Sequence, residues 1–276
     1  MKASSAQNSF TLVELLVALT ILTFMILMMA EMSGLVSKAS HEGMSRVDNF
    51  IKSRAMLDLV ASDLQHAVIR SDLPIFQTGG TNNVTTGGFG GGNYSASLFT
   101  QVPGISSSSV RNVSCVTYEV VATQDSDKIF LQRSDMAVPW VGGASSIPFQ
   151  GSLATPLGNA VAREMAPGVV GFQFTFRRAD GTVTPTYTGY VSTNAVIAVG
   201  VTIAVVGDQA LKELSVQNLT AIQTSLANAV TNAASITSVK ALWDAQLTAN
   251  FYSKYPKDLA TNLKTFERWI VPALPF

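Results

Sequence analysis

An apolar run near the start of the chain constrains its fold more than any other feature. Residues 10–30 (FTLVELLVALTILTFMILMMA) are 21 residues with a single charged side chain, Glu14. As a helix, which rises about 1.5 Å per residue, this run is about as long as the hydrocarbon core of a bilayer is thick. The polar residues before it include Lys2, so the positive-inside rule predicts a cytoplasmic N-terminus and translocation of the rest.

Three simpler interpretations of the run fit less well. A cleaved secretory signal has a shorter apolar stretch followed by a small-residue cleavage site, and Ala30-Glu-Met-Ser-Gly34 is a poor site of that kind. A buried helix of a soluble protein would have to cover apolar residues on every side. An ordinary signal anchor fits the length but leaves Glu14 unexplained, because a carboxylate about one turn inside the bilayer costs on the order of 2.5 kcal/mol or more.

Glu14 lies four positions after Phe10, which is about one helical turn. Cleavage of the chain before Phe10 would create a positive amine at the top of the same helix. An amine and a carboxylate attract strongly in a medium of low dielectric constant. They could pair within one chain, or between neighbouring chains packed side by side, and pairing between chains would set the axial stagger of the subunits.

The heptapeptide SFTLVEL, which starts at Ser9, resembles the prepilin cleavage and methylation motif, Gly-Phe-Thr-Leu-x-Glu. The resemblance implies that a prepilin peptidase cuts between Ser9 and Phe10 and methylates the new Phe10 amine. It also implies an assembly role for Glu14, with Thr11 and Leu12 as the other motif positions. The chain departs from the motif at Ser9, where the family has glycine.

The helical pattern continues beyond the apolar run, and Asp72-Leu-Pro74 is expected to end it. We therefore expect a cleaved leader at 1–9, a transmembrane assembly helix at 10–32 and an amphipathic continuation at 33–72. Apolar residues recur at three- and four-residue spacings and are predicted to face a globular head: Val47, Phe50, Ile51, Leu57, Val60, Ala61, Leu64, Ala67 and Val68. Charged and polar residues are predicted on the other face: Arg46, Asp48, Lys52, Arg54, Asp58, Asp63 and His66.

The segment RAMLDLVASDLQHAV, which starts at Arg54, is similar to the stretch after the anchor in J-type minor pseudopilins of type II secretion and in related minor pilins. Asp63 and Leu64 occupy an Asp-Leu position of that family. The whole chain also resembles the Verru_Chthon cassette protein C family of prepilin-like proteins. The J-type resemblance implies a place at the tip of a filament, with I- and K-type pseudopilins, other minor pilins and an inner-membrane assembly platform as partners.

Residues 73–276 are predicted to form an extracytoplasmic, β-rich head. Residues 77–109 are rich in glycine and serine and are expected to be a flexible loop. Alternating apolar and polar residues predict strands at 113–122, 128–133 and 169–177, a central strand at 190–206 and a last strand from Leu263. Helical spacing predicts an insertion at about 208–252. The expected fold class is α+β and type IV pilin-like, with the long helix packed on an antiparallel sheet.

The sequence offers no catalytic constellation. Its two histidines, His41 and His66, both lie on the predicted stem helix, and its single cysteine, Cys115, excludes an intramolecular disulfide. Asp125 and Asp127 could contribute to a calcium loop but are typical of a solvated turn. Basic and acidic residues balance at 18 each, which gives no indication of nucleic acid. No enzyme activity, metal or cofactor is expected.

These features favour a non-enzymatic subunit that waits in the inner membrane, with its head in the periplasm, before it joins a periplasmic or surface filament. The machine, whether for secretion, pilus formation or DNA uptake, stays open. The competing interpretation is a signal-anchored binding module that never polymerises, with aromatic residues such as Phe89 and Tyr94 on the glycine-rich loop.

Overall fold

The computed structural model describes residues 11–67, 76–78, 95–101, 114–123, 128–137, 161–185, 195–248 and 262–272. The chain divides into two compact units, Met1–Met44 and Ser45–Phe276. A long N-terminal helix is followed by antiparallel sheets, so the predicted α+β fold class is confirmed.

Helix α1 spans Leu12–Gln65. The expected end at residue 72 is wrong, because Ala67 already pairs with Thr100 in an isolated antiparallel β-bridge. The amide of Gln101 also donates to the carbonyl of His66 at 2.9 Å. The chain therefore leaves the helix by joining the edge of a sheet, which satisfies backbone groups that a longer helix would otherwise have used.

The first sheet has five antiparallel strands in chain order, β1-β2-β3-β4-β5. They are β1 (Phe76–Thr78), β2 (Ser95–Thr100), β3 (Ser114–Thr123), β4 (Lys128–Ala137) and β5 (Val161–Pro167). The predicted hairpin of β3 and β4 is confirmed, with Thr123 opposite Lys128. The prediction of a loop throughout 77–109 is wrong, since Leu98 and Phe99 of β2 are buried and β2 pairs with β3.

The second sheet has four antiparallel strands in the order β7-β6-β8-β9. They are β6 (Val169–Arg178), β7 (Val183–Thr184), β8 (Val196–Val206) and β9 (Leu263–Ile270). The long uncharged strand β8 lies between β6 and β9, which confirms its predicted central position. Residues 190–194 of the predicted strand lie outside the described residues.

Three helices lie between β8 and β9 in the chain: α2 (Asp208–Glu213), α3 (Val216–Thr231) and α4 (Val239–Gln246). Helices α3 and α4 pack on the second sheet. Serine N-caps accept backbone N–H groups at the start of α3 and α4. The indole of Trp243 is buried and donates to the carbonyl of Leu226 at 3.0 Å. Gly171 of β6 lets these helices approach, because a Cβ there would lie 3.0 Å from Leu226 and 3.1 Å from Trp243.

Gly168 joins the two sheets. Its N–H donates to the Ile129 carbonyl of the first sheet at 2.7 Å, and its carbonyl accepts from the Val206 N–H of the second sheet at 2.8 Å. Its φ is 80°, a region that favours glycine, and a Cβ would collide with the Val206 carbonyl. Tyr118 and Phe172 stack across the same junction with ring centroids 5.6 Å apart.

The head-facing side of α1 differs from the prediction. Met56, Leu57, Val60, Ala61 and Leu64 are buried as expected, but Val47 and Ile51 are exposed. Phe50 is 53% exposed, yet its ring packs on that of Phe266 in the head, with ring centroids 6.1 Å apart. On the same turns the inward positions are the polar residues Asn49 and Ser53. Space explains the choice here. The Gly207 backbone comes so close to the helix that a Cβ on Gly207 would lie 2.5 Å from the Ser45 hydroxyl oxygen and 3.3 Å from the Asn49 amide nitrogen. The Asn262 carbonyl oxygen lies 3.5 Å from the same nitrogen.

We predict that Gly168→Ala destabilises the head more than Gly181→Ala does. Both glycines have positive φ, 80° and 85°, but only the site at Gly168 lacks room for a Cβ. The strained backbone alone costs about 1 kcal/mol, so the matched Gly181→Ala variant should lose that amount and Gly168→Ala distinctly more. Urea unfolding of the full chain in detergent, followed by tryptophan fluorescence, measures both. Equal losses would contradict the role of Gly168.

Candidate functional site

Two sites emerge from the sequence and the structure, namely the N-terminal motif and a buried ionic cluster in the head. Of the predicted motif residues, Ser9 and Phe10 lie outside the described residues. Thr11 directly precedes α1, and its hydroxyl accepts a hydrogen bond from the Glu14 N–H at 3.3 Å. Thr11-x-x-Glu14 thus has the sequence of a capping box, in which the first residue satisfies an N–H of the opening helical turn.

Glu14 is exposed and lies in the first turn of α1. A carboxylate is favoured there because the unpaired N–H groups of the first turn carry partial positive charge. Part of the cost of placing this charge in an apolar helix is therefore offset within the chain itself. The side-chain oxygens of Glu14 have no hydrogen-bond partner among residues 11–67, and the motif predicts a partner of positive charge for them.

The stem part of α1 exposes large apolar side chains on all sides. The exposed fraction of the fourteen large hydrophobic residues from Leu12 to Met29 lies between 50% and 80%. The hydroxyls of Thr20 and Thr23 donate to the carbonyls of Val17 and Leu19 at 2.8 and 2.7 Å. These polar atoms therefore already have partners within the helix and impose little cost in an apolar medium.

Among the described residues, one helix is long and apolar enough to cross a membrane, and it is α1. This conclusion rests on length and composition, and the qualifying window is exposed along its whole length. A core helix of a soluble protein would be mostly covered by other parts of its chain, so the exposure favours an anchor over a core helix.

A buried ionic cluster attaches α1 to the first sheet. Nε of Arg133 donates to Oδ2 of Asp63 at 2.9 Å, and Nη1 donates to Oδ2 of Asp135 at 3.0 Å. The Tyr118 hydroxyl donates to the same Asp63 oxygen. Only 2% of each carboxylate side chain and 10% of the Arg133 side chain are exposed. Asp63 belongs to α1, Tyr118 to β3, and Arg133 and Asp135 to β4. The cluster therefore connects the helix to these two strands.

The surroundings hold Tyr118 and Arg133 each in one protonation state. Burial raises the pKa of the Tyr118 phenol well above its ordinary value, and the adjacent Asp63 charge raises it further. Burial by itself lowers the pKa of Arg133, but its hydrogen bonds and the negative charge of Asp63 outweigh this and keep the pKa above its ordinary value. Tyr118 therefore stays a donor and Arg133 stays a cation around neutrality.

The predicted position of Asp63 on the solvent-facing side of the helix is wrong, because the residue is buried. Arg133, Asp135 and Tyr118 were not predicted as a site at all. The sequence of β4 does contain a signal. Ile129 and Leu131 are buried, and the alternation of side chains along a strand places the charged residues Arg133 and Asp135 on the same side as these two. Charges at inward strand positions indicate a buried ion pair, since an unpaired charge there would be too costly.

The other residues considered from the sequence show no comparable arrangement. His66 is exposed, with Nδ1 2.7 Å from the Ser62 carbonyl oxygen, and His41 is also exposed. Asp125 and Asp127 lie outside the described residues. In the described part of the chain, no group of three or more metal-ligating side chains comes together.

We predict that Asp63→Ala lowers the free energy of unfolding by about 3 kcal/mol or more, because it leaves Arg133 and Tyr118 buried without their shared acceptor. Asp58→Ala is the matched control, since Asp58 lies on the same helix and pairs with Arg268 on the surface. An exposed pair contributes less than about 1 kcal/mol. Urea unfolding measures both variants, and similar losses for the two would contradict the buried role of Asp63.

The raised pKa of Tyr118 predicts a dependence on alkaline pH. The phenol of the unfolded chain ionises near pH 10, while the folded chain retains the proton. The stability that Tyr118 contributes is complete below about pH 10 and is lost as the pH rises above it, by up to about 1.4 kcal/mol per pH unit. Unfolding measured from pH 8 to 11 should show this loss relative to Tyr118→Phe. A constant difference between the two proteins would contradict it.

The comparisons with known proteins bear on the N-terminal motif. The family model of the prokaryotic N-terminal methylation motif matches residues 4–30. No curated protein matches the chain, and no solved structure does. Proteins with this motif are typically structural, and the motif implies processing by a prepilin peptidase and assembly with other pilins. The motif and the exposed apolar helix together support a prepilin-like membrane protein of the pilin type.

Proposed function

We propose that the protein is a non-enzymatic minor pilin or pseudopilin subunit that joins a type II secretion or type IV pilus-like filament through α1. The observation that carries the proposal is the methylation motif placed directly before a helix whose apolar residues are exposed on every side. Such a surface needs lipid before assembly and other apolar helices afterwards, because water is excluded from both environments.

Processing prepares the helix for assembly in this proposal. The prepilin peptidase cuts between Ser9 and Phe10 and methylates the Phe10 amine, which stays positively charged. Glu14 of one subunit then pairs with the amine of a neighbour. In a dry helix bundle the two charges attract strongly because the dielectric constant is low. A stagger that left either charge buried without the other would be costly. The pair therefore favours one axial stagger between neighbouring stems over the others.

We further propose a J-type position at the filament tip, with I- and K-type pseudopilins, other minor pilins and an inner-membrane platform as partners. Asp63 and Leu64, the two residues that carry this resemblance, are buried, and Asp63 is a member of the ionic cluster. They therefore hold the helix on the head. A head of two sheets and three helices is large for a repeating shaft and suits a tip. The head is periplasmic and the N-terminus cytoplasmic.

We predict that Glu14→Leu inserts into the membrane but fails to co-purify with partner pilins, because the neighbour's amine loses its partner. Glu31→Leu is the matched control, since Glu31 is an exposed acid of the same helix outside the motif. Affinity capture from detergent extracts measures partner recovery, and mass spectrometry of the captured protein should give methylated Phe10 as the first residue.

Two results would contradict the proposed function. An intact Met1 in cells that contain the peptidase would exclude processing. Equal recovery of partner pilins with the Glu14→Leu and wild-type proteins would exclude the assembly role of Glu14. A processed chain that captures no partner at all would favour a membrane-anchored binding module that does not polymerise.

A further inference from the structure

Strand β9 has an open edge. In the described part of the chain it pairs with β8 on one side and with no strand on the other. All eight residues of Leu263–Ile270 pair with β8 without a register shift, so the strand is regular along its whole length. The unpaired edge of a strand presents a row of backbone N–H and C=O groups that can pair with another chain.

The other outer strands of the two sheets carry features that disfavour such pairing. Strands β1 and β7 have only three and two residues. Strand β5 ends at Pro167, which has no N–H to donate, and its pairing with β4 shifts in register between Leu131 and Gln132. Short strands, bulges and prolines commonly protect exposed edges. Among the described strands, β9 therefore offers the longest regular edge.

The side chains of β9 indicate which partner the edge accepts. Lys264, Phe266 and Arg268 occupy alternate positions and so lie on one face of the strand. Phe266 packs on Phe50 of α1, which shows that this face is the one towards the helix. Lys264 is exposed and forms no ion pair among the described residues, whereas Arg268 pairs with Asp58 of α1. The edge therefore carries net positive charge on this face.

The one acidic residue of β9, Glu267, lies on the opposite face and is already engaged. Its carboxylate accepts hydrogen bonds from the Ser238 hydroxyl, from the Val239 N–H at 3.2 Å and from the Thr202 hydroxyl at 3.3 Å. These donors compensate its charge within the head. The charge that a partner strand meets at the edge is therefore determined mainly by Lys264 and Arg268.

A second copy of β9 fits this edge poorly. Two antiparallel copies of Leu263–Ile270 have two registers of greatest overlap in which both sheets continue as one. One register places Lys264 of each copy opposite Arg268 of the other, and the second places Glu267 opposite Glu267. Like charges directly opposite each other destabilise a strand pair, so the sequence of β9 disfavours pairing with itself.

We propose that the open edge of β9 binds an extended acidic segment of another protein by strand addition. The segment runs antiparallel, as every described strand pair does. It places acidic residues opposite Lys264 and Arg268 and an apolar residue opposite Phe266, so it reads acid-x-apolar-x-acid. In strand addition the backbone hydrogen bonds provide affinity and alternate side chains provide specificity. This inference goes beyond the proposed function and does not depend on assembly through α1.

The first experiment measures binding of labelled, end-capped peptides to the full-length protein in detergent by fluorescence anisotropy. The acidic probe has the core Glu-Lys-Val-Thr-Glu flanked by threonines, and the comparison peptide has the core Lys-Glu-Val-Thr-Lys. We expect saturable binding of the acidic probe and about tenfold weaker binding of the basic peptide. Lys264→Glu should abolish this preference, because it exchanges an attractive cross-strand pair for a repulsive one.

Lys212→Glu is the matched control, since Lys212 is an exposed lysine of α2 and its replacement should leave the preference unchanged. Both variants should keep the melting temperature of the wild type within a few degrees, because both side chains are exposed. Three results would overturn the proposal. They are no binding of either peptide, a preference that survives Lys264→Glu or is lost equally with Lys212→Glu, and peptide binding that falls as the protein concentration rises. The last result would identify a second copy as the occupant.

The second experiment tests strand addition itself. In an antiparallel pair, only alternate residues of a strand form hydrogen bonds with the same neighbour. Two further versions of the acidic probe therefore carry N-methyl groups on one or the other alternate set of residues. The set whose N–H groups face β9 should lose binding, and the set whose N–H groups face away should retain it. Equal binding of both versions, or equal loss, would exclude pairing through the edge.

Discussion

The buried ion pair between Asp63 and Arg133 determines how the head is organised. It connects the one long helix to the first sheet, and Tyr118 and Asp135 complete it from neighbouring strands. A buried ion pair is weak evidence for stability, since desolvation offsets much of the attraction. The pair also fixes the rotational position of the helix, because a rotated helix would leave the Arg133 guanidinium buried without its Asp63 partner.

That specificity matters because the helix has two different tasks. Its first part, Leu12–Met29, exposes apolar residues on every side, while its head part presents one defined side to the two sheets. Gly168 performs a similar function between the sheets, where its N–H and carbonyl each bond to a different sheet. Together these contacts hold the head part of the helix and both sheets in one arrangement.

Strands with alternating or continuous apolar residues could be predicted from the sequence, as the hairpin of β3 and β4 and the central strand β8 show. Strands β2 and β5 could not be predicted, because neither has a clear alternation of apolar and polar residues. Ser95–Thr100 belongs to a glycine- and serine-rich region, and Val161–Pro167 carries Arg163 and Glu164 at exposed positions. Their strand conformation depends on pairing with β3 and β4, which local propensity does not encode.

The sequence by itself determined the anchor and the processing motif, because both depend on local properties: the length of an apolar run, and residue types within one helical turn, such as Thr11 and Glu14. Only the tertiary structure decided which side of α1 meets the head. Val47 and Ile51 look like core residues in the sequence, and Asp63 looks like a surface residue. The close backbone at Gly207 and the guanidinium of Arg133 reversed both assignments, since space and charge pairing come from residues distant in the chain.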